Sequence, residues 1–360
     1  MDSMRIKRVR EKIKELNLDA FFVTKTVNIH YLTGLNCFSD FEQDGYLLLT
    51  QKSAILFTNQ LYLNEVQQKL KDTDIKIYLT ETLQSHTQKI IENENIIRIG
   101  FEQEITFYEY QYLKNSFEIS FVPTEGVIEE ARKIKDKAEI EEIKKSCELS
   151  DKAFSYILKS IKTNVTEKEI AFKIEQYVRQ NGGELSFPTI VAFGKNSATP
   201  HHKTDDTKLK ENSIVLLDFG AKINGYCADI SRTFFFGKAG IRFKNIYQTV
   251  LDAQEASINS IGPNKTFSEV DKTARSFITE KNYPSIPHAL GHGVGLEVHE
   301  KPSVSRRSEE NLDADMVFTI EPGVYLPDFG GIRIEDVIHF DGEKINLLSN
   351  SSKELIEITS

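Results

Sequence analysis

Apolar residues in the first third of the chain fall in short runs of strand length, separated by amphipathic stretches. Helical spacing over 5–16 gives way to strand-like runs at 20–23, 46–50, 54–57, 75–79 and 97–101, an alternation that predicts an α/β unit. A charged segment, 129–142, then opens a long helix in which Ile140, Ile143, Cys147, Phe154, Ile157 and Ile161 keep helical spacing, with the charges on a solvated face. Thr166-Glu167-Lys168-Glu169 and Thr266-Phe267-Ser268-Glu269 each read as a capping box that starts a helix. The pattern predicts two helical layers over a curved antiparallel sheet. The fold class is therefore α+β, with a boundary near residue 130: an α/β domain over 1–130 and a second domain over 131–360. A chain of 360 residues exceeds what one hydrophobic core usually spans.

Within the second domain, acidic residues sit where strands should not expose them. The run Ile214-Val215-Leu216-Leu217-Asp218-Phe219 reads as a buried strand ending in a carboxylate. Asn224-Gly225 follows, the strongest short hairpin signal, because a two-residue type I′ loop needs positive φ at both positions. Counting back from that turn sets Asp218 opposite Ser231, with Asp229 diagonal on the same face. A second turn centred near Asp328 sets Glu321 across from Glu335. Arg333 then shares the face of Glu335, and Ile332 and Ile334 point to the core. One acid in a strand is ordinarily a solvated outer residue; two hairpins that both present paired carboxylates point to a metal site.

Five of the eight histidines, His201, His202, His288, His292 and His299, fall in two short segments. Gly291, Gly293 and Gly295 argue against a helix there, so a glycine-opened segment leading into a strand is expected. Asp218, Asp229, His292, Glu321 and Glu335 together make a hard, oxygen-dominated donor set suited to two divalent ions such as Mn²⁺, Co²⁺ or Zn²⁺ sharing one activated water.

These stretches carry a family resemblance. Leu217 to Gly220, Tyr226 to Thr233, His288 to Glu300, Thr319 to Gly323 and Gly331 to Asp336 resemble the pita-bread metallopeptidases, which include methionine aminopeptidase, aminopeptidase P and prolidase. His201 after Ser197-Ala198-Thr199-Pro200, and the additional N-terminal domain, resemble the Xaa-Pro-cleaving branch. The resemblance implies a pita-bread catalytic domain preceded by a creatinase-type α/β domain, and two metal ions, Mn²⁺ first among them, held by the five ligands. It further implies Glu321 as proton shuttle as well as ligand, His201 and His299 as groups that polarise the carbonyl and stabilise the tetrahedral intermediate, and His288 on the proline side. A homodimer acting on proline-containing peptides is implied too. For Arg333 an ion pair orienting a ligand carboxylate and a direct substrate contact are both open. For Tyr325 a hydroxyl directed at the developing charge and a packed ring are both open, and His202 is assigned a structural or solvent-facing place. The leading expectation is an Xaa-Pro aminopeptidase, and the alternative a prolidase restricted to dipeptides. Many relatives have Arg after the Pro that follows the His-Glu pair, whereas His299-Glu300-Lys301-Pro302 here runs into Ser303, with Arg306 and Arg307 further on. An Arg in that place could clamp a dipeptide's free carboxylate. A non-catalytic binding protein of the same fold is the remote alternative, since such proteins normally lack the five ligands.

Composition narrows the setting. A net charge of -9 gives no basic patch for nucleic acid. Three widely spaced cysteines, Cys37, Cys147 and Cys227, imply a reducing compartment without a disulfide framework. Cys227 reads as a small core residue rather than a ligand, because thiolate matches the hard set poorly. Residues 1–19 interleave Arg, Lys and Glu with no apolar core of a signal, and the longest apolar runs are of strand length, so no membrane association and a cytoplasmic location are expected.

Overall fold

The structure is a computed structural model that describes residues 4–39 and 42–359. The chain divides into two compact units, Met1–Arg132 and Lys133–Ser360. The first holds a six-stranded sheet in the order Lys76–Leu79, Ala54–Thr58, Gly45–Thr50, Ala20–Val23, Arg98–Glu102, Ser120–Thr124. Ala20–Val23 runs antiparallel to Gly45–Thr50 and parallel to Arg98–Glu102. Ala20–Val23 and Ala54–Thr58 are buried at every residue, which is why they read as unbroken apolar runs rather than alternating ones. The α/β expectation holds for this unit. The last strand, Ser120–Thr124, was not foreseen: it is an edge strand containing Pro123, a residue that weakens any strand signal.

The long helix expected from residue 129 is two helices, Val127–Lys133 and Lys137–Leu158. Between them Ile134 bridges Met316, and Asp136 caps the second helix, its carboxylate accepting the Glu139 N–H at 2.9 Å while Glu139 reaches back to the Asp136 N–H. That reciprocal cap satisfies two N–H groups that a continuous helix would not have exposed. Ile161 is buried but lies beyond the helix end.

In the second unit the expected curved sheet is divided into several. One has the order Glu357–Ile358, Ile230–Phe236, Ser213–Phe219, Ile190–Phe193; another has Glu300–Val304, Gly291–Gly293, Met316–Ile320, Asp336–Phe340, Ile345–Leu347. Each has its own pair of helices. Helices Lys137–Leu158 and Glu167–Gln180 share a core with Val215, Leu217, Phe219 and Ile230. Helices Ile241–Ser260 and Phe267–Glu280 share one with Phe318, Ile320, Ile332 and Ile334. Both capping boxes form as read, at Thr166/Glu169 and Thr266/Glu269. Strand parity does the rest: with Val215, Leu217 and Phe219 committed to one core, Asp218 must face the other way.

Candidate metal centre

Strands Ser213–Phe219 and Ile230–Phe236 pair antiparallel with Asp218 opposite Ser231, the register counted from the Asn-Gly turn. Asn224 and Gly225 have φ of 50° and 87°, as a type I′ turn requires. The hairpin's backbones close in beside Asp218: a Cβ on Gly220 would lie 1.7 Å from the Ala228 carbonyl oxygen, so only glycine fits.

The second carboxylate pair arises differently from a plain hairpin. Ile320 pairs with Asp336 in one ladder, and Gly323 with Arg333 in the next. Between the two ladders Glu321 and Glu335 face each other, yet their amides turn outward: Glu321 N–H donates to Leu290 O at 2.8 Å and Glu335 N–H to Ser231 O at 3.1 Å. The second bond seams this pair to the first hairpin. His292 arrives on the short strand Gly291–Gly293, where a Cβ on Gly291 would lie 1.9 Å from Thr319 O. Its Nδ1 is 3.1 Å from Gly293 O, which assigns the proton to Nδ1 and leaves the Nε2 lone pair facing Asp229 Oδ2 at 3.5 Å and Glu321 Oε1 at 3.6 Å.

All five residues converge. Asp218, Asp229 and Glu335 form one group of potential ligand atoms, each within 4.8 Å of the others, and His292, Glu321 and Glu335 form a second that shares Glu335; Asp229, His292 and His299 form a third. Asp229 Oδ1 and Glu335 Oε1 are buried with no hydrogen-bond partner. Burial first, and then the neighbouring carboxylates, push Asp229 and Glu321 well above the usual range and Glu335 up to about 8. Burial, followed by His299, lowers His292 to about 4, so its imidazole is neutral. Crowded acids, orphaned oxygens and a neutral imidazole with a free Nε2 fit two divalent cations, which would balance the charge and fill the open coordination.

Around this set lies a chain of hydrogen bonds. The buried Arg333 guanidinium bonds Asp218 Oδ2 at 2.5 Å through Nη2, Ser231 Oγ at 2.7 Å through Nε, and Tyr325 Oη at 3.0 Å and Pro200 O at 3.3 Å through Nη1. Its ion pair is thus with Asp218, and Glu335 is reached only through Ser231, whose hydroxyl donates to Glu335 Oε2 at 2.8 Å. The Tyr325 ring is buried, and its hydroxyl lies 2.9 Å from His288 Nε2; burial pushes the phenol up to about 12. His288 Nδ1 is 2.7 Å from Ala289 O, so its Nε2 accepts from the tyrosine, and burial lowers the imidazole to about 4. The Tyr325 ring is thus packed, and its hydroxyl is held between His288 and Arg333.

His201 and His299 lie at the exposed rim. The His299 ring packs edge-on against His292 with centroids 4.3 Å apart, and burial, opposed by Asp218, lowers its pKa with a further contribution from His201. His202 turns away from the centre, with Nε2 2.8 Å from the fully buried Glu167 carboxylate. Cys227 is a core residue, its Sγ 3.8 Å from Leu296 O and its thiol pushed up to about 11 by burial. Arg306 and Arg307 are exposed in a turn beyond Glu300–Val304.

Sequence reasoning missed the support behind Glu335. Arg232 is buried; it donates to Glu335 O at 2.5 Å and to Asp336 Oδ1 at 2.6 Å. Despite burial, Arg232 and Lys353 hold Asp336 below the usual carboxylate range. The one signal available was an arginine in the middle of an apolar strand, Ile230-Ser231-Arg232-Thr233-Phe234.

Comparison with known proteins agrees with this geometry. Residues 141–341 match Metallopeptidase family M24, and residues 5–134 match the Creatinase/Prolidase N-terminal domain. An Xaa-Pro dipeptidase of Pyrococcus horikoshii is 35% identical over 99% of this chain and 100% of its own length. The solved Xaa-Pro dipeptidase from Bacillus anthracis superposes with a TM-score of 0.93 at 34% identity, covering 98% of this chain and 99% of that one. The X-Pro aminopeptidase from Thermotoga maritima gives 0.88 at 31%, covering 99% and 100%. Among the described residues, no helix is long and apolar enough to cross a membrane. With its acids carried on two seamed strand pairs and His292 brought in by a third element, the chain belongs to metallopeptidase family M24, joined to an N-terminal domain of the creatinase/prolidase type.

Proposed function

We propose that this metallopeptidase hydrolyses Xaa-Pro bonds in dipeptides, with Asp218, Asp229, His292, Glu321 and Glu335 holding two divalent ions, Mn²⁺ first among them. The observation that carries the reading is the overlap of two ligand groups on Glu335, with buried oxygens of Asp229 and Glu335 left unpartnered. Bound there, the cations would supply hydroxide near neutral pH and polarise the scissile carbonyl. Glu321, with one oxygen 3.6 Å from His292 and the other 3.8 Å from His288, takes the proton of the attacking water and returns it to the leaving proline nitrogen. His201 and His299 donate hydrogen bonds to the oxygen on which negative charge develops. His288, Tyr325 and Arg333 form the wall on the proline side, rigid because each is hydrogen-bonded to the next.

The dipeptidase reading is preferred to the aminopeptidase expected from the sequence because relatives similar over nearly the whole chain are named Xaa-Pro dipeptidases. The aminopeptidase stays as the second reading, supported by the Thermotoga maritima likeness and by Ser303 standing where a carboxylate-clamping Arg would be. Three unpaired cysteines suit the cytoplasm, and the family resemblance suggests a homodimer. The test is the initial rate on Xaa-Pro dipeptides beside Xaa-Pro-Yaa tripeptides with Mn²⁺ supplied and Asp229→Ala as control. Dipeptide-only cleavage, lost in the control, supports the proposal. Tripeptide cleavage selects the aminopeptidase, and no metal-dependent cleavage of either refutes both.

A further inference from the structure

Glu321 and Glu335 each follow a residue whose carbonyl is taken up by the same side chain. Gln254, fully buried on helix Ile241–Ser260, directs its Nε2 at Ile320 O, 3.2 Å away, and at Ile334 O, 3.4 Å away. The same nitrogen lies 3.1 Å from Oδ2 of Asp336, the residue after Glu335. All three acceptors are oxygens, which fixes the orientation of the amide: reversed, Oε1 would oppose them. In the orientation adopted, Oε1 is buried without a hydrogen-bond partner. The contacts fall at the gap between the two ladders, where Glu321 and Glu335 send their own amides to Leu290 and Ser231 rather than to each other. At that gap one long backbone bond, from Ile334 N–H to Pro322 O at 3.4 Å, crosses between the strands, and the Gln254 carboxamide spans the same place from the helix side.

We propose that Gln254 is a positioning residue of the metal centre: by gripping the peptide units that precede Glu321 and Glu335 it fixes the separation of these two carboxylates, and hence the affinity of the site for divalent cations. The inference rests on the two-metal reading above. It assigns to a helix residue of the opposite layer a role that neither ladder fills. Its consequence is that the amide acts on metal binding more than on folding, because the helix is independently anchored by Phe243, Ile246, Val250 and Ala253 in the core it shares with Phe267 and Phe318.

The experiment is calorimetric titration of Mn²⁺ into the full chain stripped by chelator, for wild type, Gln254→Met and Ser257→Ala, with the metal-free melting curve of each. Methionine keeps the length and apolar bulk and removes the donor. Ser257 is equally buried on the same helix, and its hydroxyl donates to Ala253 O at 2.8 Å, so its replacement reports packing damage alone. Affinity in Q254M is expected to fall roughly 10–100-fold, the usual effect of losing a group that orients a ligand, while S257A binds as wild type. Wild-type affinity in Q254M overturns the proposal, as does an equal loss in S257A. If Q254M does not fold, Gln254→Asn takes its place: its amide is shorter and cannot span both carbonyls, so the same loss is expected and wild-type affinity again overturns the proposal. A wild-type chain that takes up no Mn²⁺ defeats the two-metal reading itself, an outcome distinct from wild-type binding retained in Q254M.

Discussion

Arg333 sets its guanidinium beside the carboxylates of the candidate centre, and replacing it with methionine separates its electrostatic share from its packing. Burial opposes the charge, yet Tyr325, followed by Asp218, Glu321 and Glu335, holds the guanidinium's pKa well above its usual value. Arg333→Met would leave Asp218 Oδ2, Ser231 Oγ and Tyr325 Oη, all on buried residues, without this donor. Removing one partner of a buried ion pair costs about 3–5 kcal/mol, because the other charge stays buried. For a unit of this size that is roughly 6–20 °C in melting midpoint. Arg333→Lys restores the charge but not the fork that reaches four partners at once, and should recover more stability than catalytic rate. The assay is thermal unfolding in chelator and in Mn²⁺, with kcat and KM on an Xaa-Pro dipeptide. Added metal should shrink the R333M deficit, since cations compensate the same acids. An R333M midpoint equal to wild type in chelator would refute the reasoning, and equal deficits in R333M and R333K would show that charge is not the operative term.

Two further outcomes follow from the same geometry. Glu335 has a folded pKa of about 8 against an ordinary 4.5, and Asp229 and Glu321 are raised as well, so between those values the metal-free folded state binds more protons than the unfolded one and stability falls as pH rises. His288 and His292, lowered to about 4, act in the opposite sense below their ordinary 6.5; the carboxylate effect therefore stands alone from about 6.5 to 8, where melting in chelator should drop with pH and melting in Mn²⁺ should not. A flat chelator profile in that window would contradict the assignment. Arg306→Ala and Arg307→Ala, exposed in a turn, should leave KM for Xaa-Pro dipeptides at the wild-type value; a clear rise in either would make that arginine the carboxylate clamp.

The sequence made the candidate centre legible because its proposed ligands lie on or beside strands, where side chains alternate faces and a turn fixes the register. Asn224-Gly225 was enough to set Asp218 against Ser231, and the same arithmetic set Glu321 against Glu335. Parity could not show that the second pair occupies a gap between two ladders, because the outward bonds to Leu290 and Ser231 come from residues remote in sequence. It also could not reveal Gln254, which in a helical run of Gln, Glu, Asp and Ser looks like any surface position until the strands are packed beneath it. The break at 134–136 was hidden for a related reason: Asp136 reads as one more charge on a solvated face until its cap with Glu139 is seen. What stayed obscure was cross-element hydrogen bonding, for which sequence has no period.

The two arginines show how those cross-element bonds shape the function. Arg232, on the hairpin that carries Asp218, reaches across to Asp336 and the carbonyl of Glu335. Arg333, on the strands that carry Glu321 and Glu335, reaches back to Asp218 and Ser231. Each hairpin thus sends one cation to the other's acid. The exchange compensates charge where two carboxylate pairs would repel, and because guanidinium hydrogen bonds are directional it also fixes the angle between the pairs. Ligand geometry is then set by folding rather than by the incoming ions. On the proposed reading, metal binding would have little reorganisation to drive, and water and peptide would meet a preformed frame.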